Sequence, residues 1–193
     1  MEKNMENNKD SIAEIAIRLF SEKGYDAVGV QEICDKAEIT KPTLYYYFKS
    51  KQGLLEYIAQ SKGEELYSKI EAALEYKHDL INSLTQLLKT EIEFARTYPD
   101  FFNLQAVLLN SPEESEQRKV YLSLIEKIEA KYQEFFALSC NEFGNMRGKE
   151  ILYSTIFHNT VLSTALLVIR NKLEFNDKLT YQIIHSTVYG LAN

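Results

Sequence analysis

Apolar residues recur along this chain at intervals of three and four, in stretches long enough for helices. Ile12, Ile15, Ala16, Leu19 and Phe20 make the first stripe, capped by Asp10 or Ser11 and closed by Gly24 as a C′ glycine. The first seven or so residues, polar throughout, are expected to form a loose arm. A second helix is predicted over 30–37, entered through Gly29 and buried through Ile33, Cys34 and Ala37. Glu38 and Ile39 leave only a short connection to a third helix, capped by Thr40, with Pro42 in its first turn. Ser50 caps a long fourth helix reaching about residue 75, in which Gly63 is a weak point. Further helices are predicted over 79–98, 100–110, from a cap at Ser111-Pro112 to about 140, over 147–171 and over 177–191.

This pattern, with only seven Gly and three Pro in 193 residues, predicts an all-α fold. Two short helices joined this tightly, after a supporting first helix, make a three-helix helix-turn-helix domain at the amino end. The remainder forms a larger helical domain. The boundaries are set at 6–66 and 67–193, with a reading motif at about 29–48 and the fourth helix as the mechanical link.

Charge singles out the third helix. The chain carries a net charge of −6, which argues against a general polyanion binder. Residues 1–60 hold eight Lys or Arg against ten Asp or Glu, yet 39–55 hold Lys41, Lys49 and Lys51 with no acid. At about 100° per residue, Leu44 and Phe48 face inward while Pro42, Thr43 and Tyr46 face out, with Tyr45 and Tyr47 on the flanks. Three consecutive tyrosines on a two-turn helix exceed what its own core needs. Hydroxyls and lysines around a small floor suit a helix in a DNA groove.

Residues 12–58 resemble the DNA-binding domain of the TetR family of bacterial transcription regulators. The resemblance rests on Ala16, Leu19-Phe20, Gly24-Tyr25, Val30, Ile33, Ala37, Ile39-Thr40, Leu44-Tyr45, Phe48, Lys51 and Leu54-Leu55. Glu38 departs from the family's usual turn glycine and implies a positive φ costing roughly 1 kcal/mol. Gly29 replaces a common capping hydroxyl. Carried over, the resemblance implies DNA contacts at Gln31, Thr40, Lys41, Pro42, Thr43, Tyr45, Tyr46, Tyr47, Lys49 and Lys51. Thr43 and Tyr46 are the candidates for base edges, with Pro42 against a thymine methyl. Tyr45, Tyr47, Lys49 and Lys51 are the candidates for phosphates. For Tyr45 and Tyr47 a second reading stands, in which the ring covers the domain core.

In the larger domain the resemblance implies an effector pocket lined by Phe94, Tyr98, Phe101, Phe102, Gln105, Tyr121, Phe135, Phe157 and His158, suited to lipophilic, flat or cationic compounds. Plain core packing fits the same spacing. It also implies a homodimer through the last two helices, with Leu162, Ala165, Ile169, Tyr181, Ile184, His185 and Val188 at the interface. The expected function is a ligand-responsive repressor that binds a palindromic DNA operator. An activator, or a helical carrier or enzyme that retains the domain, are the alternatives. No metal-ligand spacing, phosphate loop or catalytic constellation is present, so no enzyme activity, metal or cofactor is expected. Two distant cysteines, no signal-peptide core and no uninterrupted apolar run of about 18 residues predict a cytoplasmic protein without a membrane span.

Overall fold

The computed structural model describes residues 2–143 and 146–189, with side chains from residue 8 onward. Among these residues all regular structure is helical: α1 (Glu2–Lys23), α2 (Val30–Lys36), α3 (Lys41–Phe48), α4 (Lys51–Ala73), α5 (Leu80–Thr97), α6 (Pro99–Leu109), α7 (Glu116–Cys140), α8 (Glu150–Ile169) and α9 (Asp177–Tyr189). The expected all-α architecture is what the chain adopts. Two boundaries move. The backbone of α1 is helical from Glu2, where a loose arm was expected. The cap of α7 is Ser115, whose Oγ accepts from the Arg118 N–H at 3.4 Å, and not Ser111. The predicted end of α9 at Leu191 lies outside the described residues.

Contacts divide the chain into two compact units. The first is Met1–Glu64 with Asp100–Leu124, and the second is Glu65–Pro99 with Ile125–Asn193. The break on α4 falls close to the expected 6–66 boundary, but α6 after its first residue and the start of α7 join the first unit. Each compact unit is thus discontinuous in sequence.

In the first unit, Ala16, Phe20, Ile33, Leu44, Leu54 and Ile58 form the buried centre. The added segment is bound to it by specific contacts. The Gln117 side chain, itself buried, donates from Nε2 to Asp26 Oδ2 at 2.9 Å. Arg18 and Asp100 pair at 3.8 Å. Gly63 lies so close to α7 that a Cβ there would meet Leu124 Cδ2 at 2.5 Å. That glycine, expected as a weak point in α4, is what admits the Leu124 side chain.

In the second unit α5 packs against α8 and α9. Asp79 caps α5, accepting from the Asn82 N–H at 2.9 Å. Leu84, Leu87, Leu88, Ile92 and Ala95 form its buried stripe. α8 is long and apolar enough to cross a membrane by length and composition, although polar residues interrupt its apolar run. Phe157, Val161, Ala165 and Val168 are buried in this unit, as on a core helix.

Candidate nucleic-acid interface and effector region

The reading helix is fixed from three sides. At its start Thr40 caps α3, its Oγ1 accepting from the Thr43 N–H at 3.4 Å and lying 2.9 Å from Thr43 Oγ1. Along its length Leu44 and Phe48 are buried. At its end α4 begins directly over it: a Cβ on Gly53 would lie 2.0 Å from the Phe48 carbonyl oxygen. The Ser50 Oγ then accepts from the Gly53 N–H at 2.9 Å, the expected cap. The turn before α3 has the expected strain, with Glu38 at φ 53°. Its gain is a tight bend, in which the Ile39 N–H reaches the Cys34 carbonyl at 3.0 Å.

Outward, Tyr46 is 71% exposed and Tyr45 44%. Lys41, Pro42 and Lys49 are exposed beside them. Thr43 and Tyr47 are half-buried and line a shallow cleft with Ile12, Ile15, Ala37 and Ile39. The Tyr47 ring thus covers the edge of the domain core, while Tyr46 stands clear of it. The exposed Gln31 donates to Asp35 Oδ1 at 2.7 Å, one turn along α2.

Lys51 differs most from its expected role. Its ammonium turns inward, donating to the Tyr25 carbonyl at 2.9 Å and the Val28 carbonyl at 3.0 Å, and it sits 4.1 Å from the centre of the Tyr25 ring. Burial holds its pKa below the usual lysine range. Two of its three donors are committed, so it is first a clasp on the loop between α1 and α2. Tyr25, buried with Glu116, Asp26 and Glu56 around it, is pushed up to about 12, chiefly by burial. The acid-free lysine cluster therefore presents Lys41 and Lys49 outward, without Lys51.

The expected effector residues fall into both units. Phe101, Phe102, Gln105 and Tyr121 are buried in the first. The Gln105 Nε2 has no partner among the described residues. Phe94, Phe135, Phe157 and His158 are buried in the second, with Tyr98 half-buried. There Phe94 and Tyr98 pack with ring centres 4.8 Å apart, and Phe135 meets Tyr76 and Phe136. Tyr132 lies 4.7 Å from His158 and 6.4 Å from Phe157. The sequence reading missed Glu91, buried on α5, which accepts a hydrogen bond from the Tyr132 hydroxyl. Its signal was available: Glu91 occupies a position on the α5 apolar stripe where a leucine would fit.

The expected dimer surface needs correction at two positions. Ala165 and Ile184 are buried within the protomer and hold α8 and α9 in place. Leu162, Ile169, His185 and Val188 are half-buried, and Tyr181 is 67% exposed. The exposed apolar positions on α8 are instead Ile151, Leu152, Ile156 and Leu167. On α9, His185 sits between Tyr181 and Tyr189 at 5.4 and 4.7 Å. Cys140 is buried, with its thiol pushed up by burial.

The pattern described as "Bacterial regulatory proteins, tetR family" matches residues 12–58, the helices that build and pin α3. The chain carries a TetR-family domain. Over 63 residues it is 41% identical to the "Probable HTH-type transcriptional regulator YttP" of Bacillus subtilis (strain 168), covering 33% of this chain and 30% of that one. Over 107 residues it is 34% identical to IcaR of Staphylococcus aureus (strain Newman), the negative transcriptional regulator of the biofilm operon icaADBC, covering 55% of this chain and 56% of IcaR. The chain thus spans about a third and just over half of those relatives. FadR from Bacillus subtilis, solved with stearoyl-CoA, superposes with a TM-score of 0.77 over 94% of this chain and 98% of that one. At 17% identity this likeness is one of fold alone, and it extends beyond residues 12–58.

Proposed function

We propose that the protein is a cytoplasmic, homodimeric transcriptional repressor that binds a palindromic operator and is released by a small lipophilic or aromatic effector. One observation carries the reading: a helix held rigidly at both ends exposes Tyr46, Tyr45, Pro42 and Lys41 together. Tyr46 and Thr43 are assigned to base edges, with Pro42 against a thymine methyl. Lys41, Lys49, Tyr45 and the hydroxyl of Tyr47 are assigned to phosphates, with Gln31 and Thr40 at the margin. Lys51 contributes by holding the loop at Tyr25 and Val28, with one donor left for a phosphate. Repression is supported by IcaR, a negative regulator.

Dimerisation through α8 and α9 is supported by the exposed Ile151, Leu152, Ile156 and Leu167, an apolar face that a single protomer leaves in water. Two protomers then meet two half-sites. A lipophilic effector is supported by the buried aromatic groups, and the FadR structure holds stearoyl-CoA. Release requires only that the effector prefer the state with lower DNA affinity.

The test is fluorescence anisotropy on the palindromic fragment upstream of the gene, across a salt series. Tyr46→Ala with Lys41→Ala, both outside the core, is expected to weaken binding by roughly 2–4 kcal/mol with helicity unchanged. Undiminished binding by that double variant would remove the assigned reading surface.

A further inference from the structure

α4 and α5 face each other across an open cleft of about 540 Å³, within the size range of ligand sites and wholly inside the second unit. Spacing along α5 builds one wall. Asn82, Gln86, Thr90, Glu93 and Thr97 follow at intervals of four, four, three and four, so they share one helix face. From Asn82 to Thr97 that wall runs about 22 Å, at roughly 1.5 Å per residue. The opposite wall, on α4, carries Lys69 and is kept low by Ala72 and Ala73. Phe94 and Tyr98, with ring centres 4.8 Å apart, stand at one end.

The polar groups of the α5 wall have unused capacity. Ser83 lines the cleft, is only 4% exposed, and its hydroxyl has no hydrogen-bond partner among the described residues. A buried hydroxyl left unpaired is destabilising, and the cleft is the side from which a partner can reach it. The side-chain amides of Asn82 and Gln86 and the hydroxyl of Thr90 likewise bond to no other described residue.

Charge narrows the choice of ligand. The cleft holds Glu65, Glu75 and Glu93 against Lys69 and Lys77. Glu75 pairs with Lys77 at 3.0 Å, and Glu65 accepts from the Tyr98 hydroxyl at 3.3 Å. That leaves Lys69 on one wall and Glu93 on the other, one of each sign, so neither a cation nor an anion is favoured. A lipid chain would find little apolar wall beyond Ala72, Ala73 and the Tyr98 ring, because Phe94 is buried. What the walls offer is a row of amides and hydroxyls, groups that donate and accept side by side. Such a row matches a neutral, elongated ligand with hydroxyls along its length.

We propose that the α4–α5 cleft is a binding site for a short linear oligosaccharide. Asn82, Ser83, Gln86 and Thr90 hydrogen-bond successive sugar hydroxyls, and the apolar face of a terminal pyranose ring lies on Tyr98. The site shares Phe94 and Tyr98 with the effector region assigned above. It does not rest on the repressor reading, since saccharide binding holds whether or not the protein binds DNA.

The test is calorimetry and saturation-transfer NMR on the full chain with maltotriose, cellotriose and triacetylchitotriose. Glucose, decanol and the neutral peptide acetyl-triglycine amide are the comparisons. At least one trisaccharide is expected to bind with a Kd of about 1 mM or tighter, and about tenfold more tightly than glucose, which spans only part of the wall. Asn82→Ala with Gln86→Ala, both exposed positions, is expected to weaken that binding about tenfold with helicity unchanged. Ser83→Ala removes the unpaired hydroxyl and is expected to weaken it about threefold without lowering the melting temperature. No trisaccharide binding at about 10 mM, binding indifferent to both variants, or tighter binding of decanol or the peptide overturns the proposal.

Discussion

Replacing Glu91 by glutamine should change how stability depends on pH, in a direction that two buried groups fix between them. The Glu91 carboxyl is raised from 4.5 to about 7, mainly by burial. Below pH 4.5 both folded and unfolded chains hold its proton. As pH rises towards 7 the unfolded chain releases the proton first, so stability falls, and above 7 the loss is complete. The gap converts to roughly 3 kcal/mol. His158 works in the opposite direction. Burial lowers it from 6.5 to about 4, so its full contribution is present above pH 6.5 and is lost as pH falls towards 4. That loss is also roughly 3 kcal/mol. Between about pH 4.5 and 6.5 the two slopes nearly cancel in the native protein. Glutamine keeps the acceptor for Tyr132 and removes the Glu91 slope, leaving that of His158. The variant should therefore gain on the native protein by roughly 2–3 kcal/mol between about pH 5 and pH 8. Urea unfolding followed by helical circular dichroism at fixed protein concentration measures the difference, and melts should part by roughly 5–10 °C. A native-to-variant difference that stays constant with pH would refute the reasoning, because it would place Glu91 in contact with water.

Gly53→Ala should destabilise the protein by at least ~2 kcal/mol and weaken operator binding, since the new methyl meets a backbone carbonyl; thermal melts and anisotropy read both effects. Lys51→Met should cost roughly 1–3 kcal/mol of stability by freeing two carbonyls, whereas Lys41→Ala should leave stability unchanged and reduce the salt slope of DNA binding by about 1. Equal salt slopes for the two lysine variants would refute the division of roles between them. Glu38→Gly should raise stability by up to about 1 kcal/mol, because the turn at φ 53° then carries no Cβ. A loss in urea unfolding would mean that the Glu38 side chain does more than occupy the turn.

The helix-turn-helix was legible because its signals are local. Thr40 and Ser50 cap the helices they were assigned, Gly24 lies at φ 86°, and Leu44 and Phe48 are buried as their spacing required. What escaped was set by partners far along the chain. Nothing near Lys51 announces that its ammonium turns back to Tyr25 and Val28, 26 and 23 residues earlier. Gly63 looks like a flaw until Leu124 is placed beside it. α8 is apolar on nearly every face, so periodicity could not say that Ala165 faces inward and Ile151 outward. Glu91 was passed over because a carboxylate reads as solvated surface, although its place on the α5 stripe marked it as buried.

The loop between α1 and α2 is gripped twice, by Lys51 at Tyr25 and Val28 and by Gln117 at Asp26. This bears on any attempt to transplant operator preference between relatives. A chimera that exchanges only residues 1–64 would carry its Asp26 position away from the glutamine that evolved opposite it. Buried as it is, that glutamine would face whatever the donor supplies. A graft that takes Asp100–Leu124 together with the amino-terminal helices moves the whole compact unit, and should fold where the shorter one does not. The natural cassette for re-engineering this reader is therefore discontinuous in sequence and continuous in space.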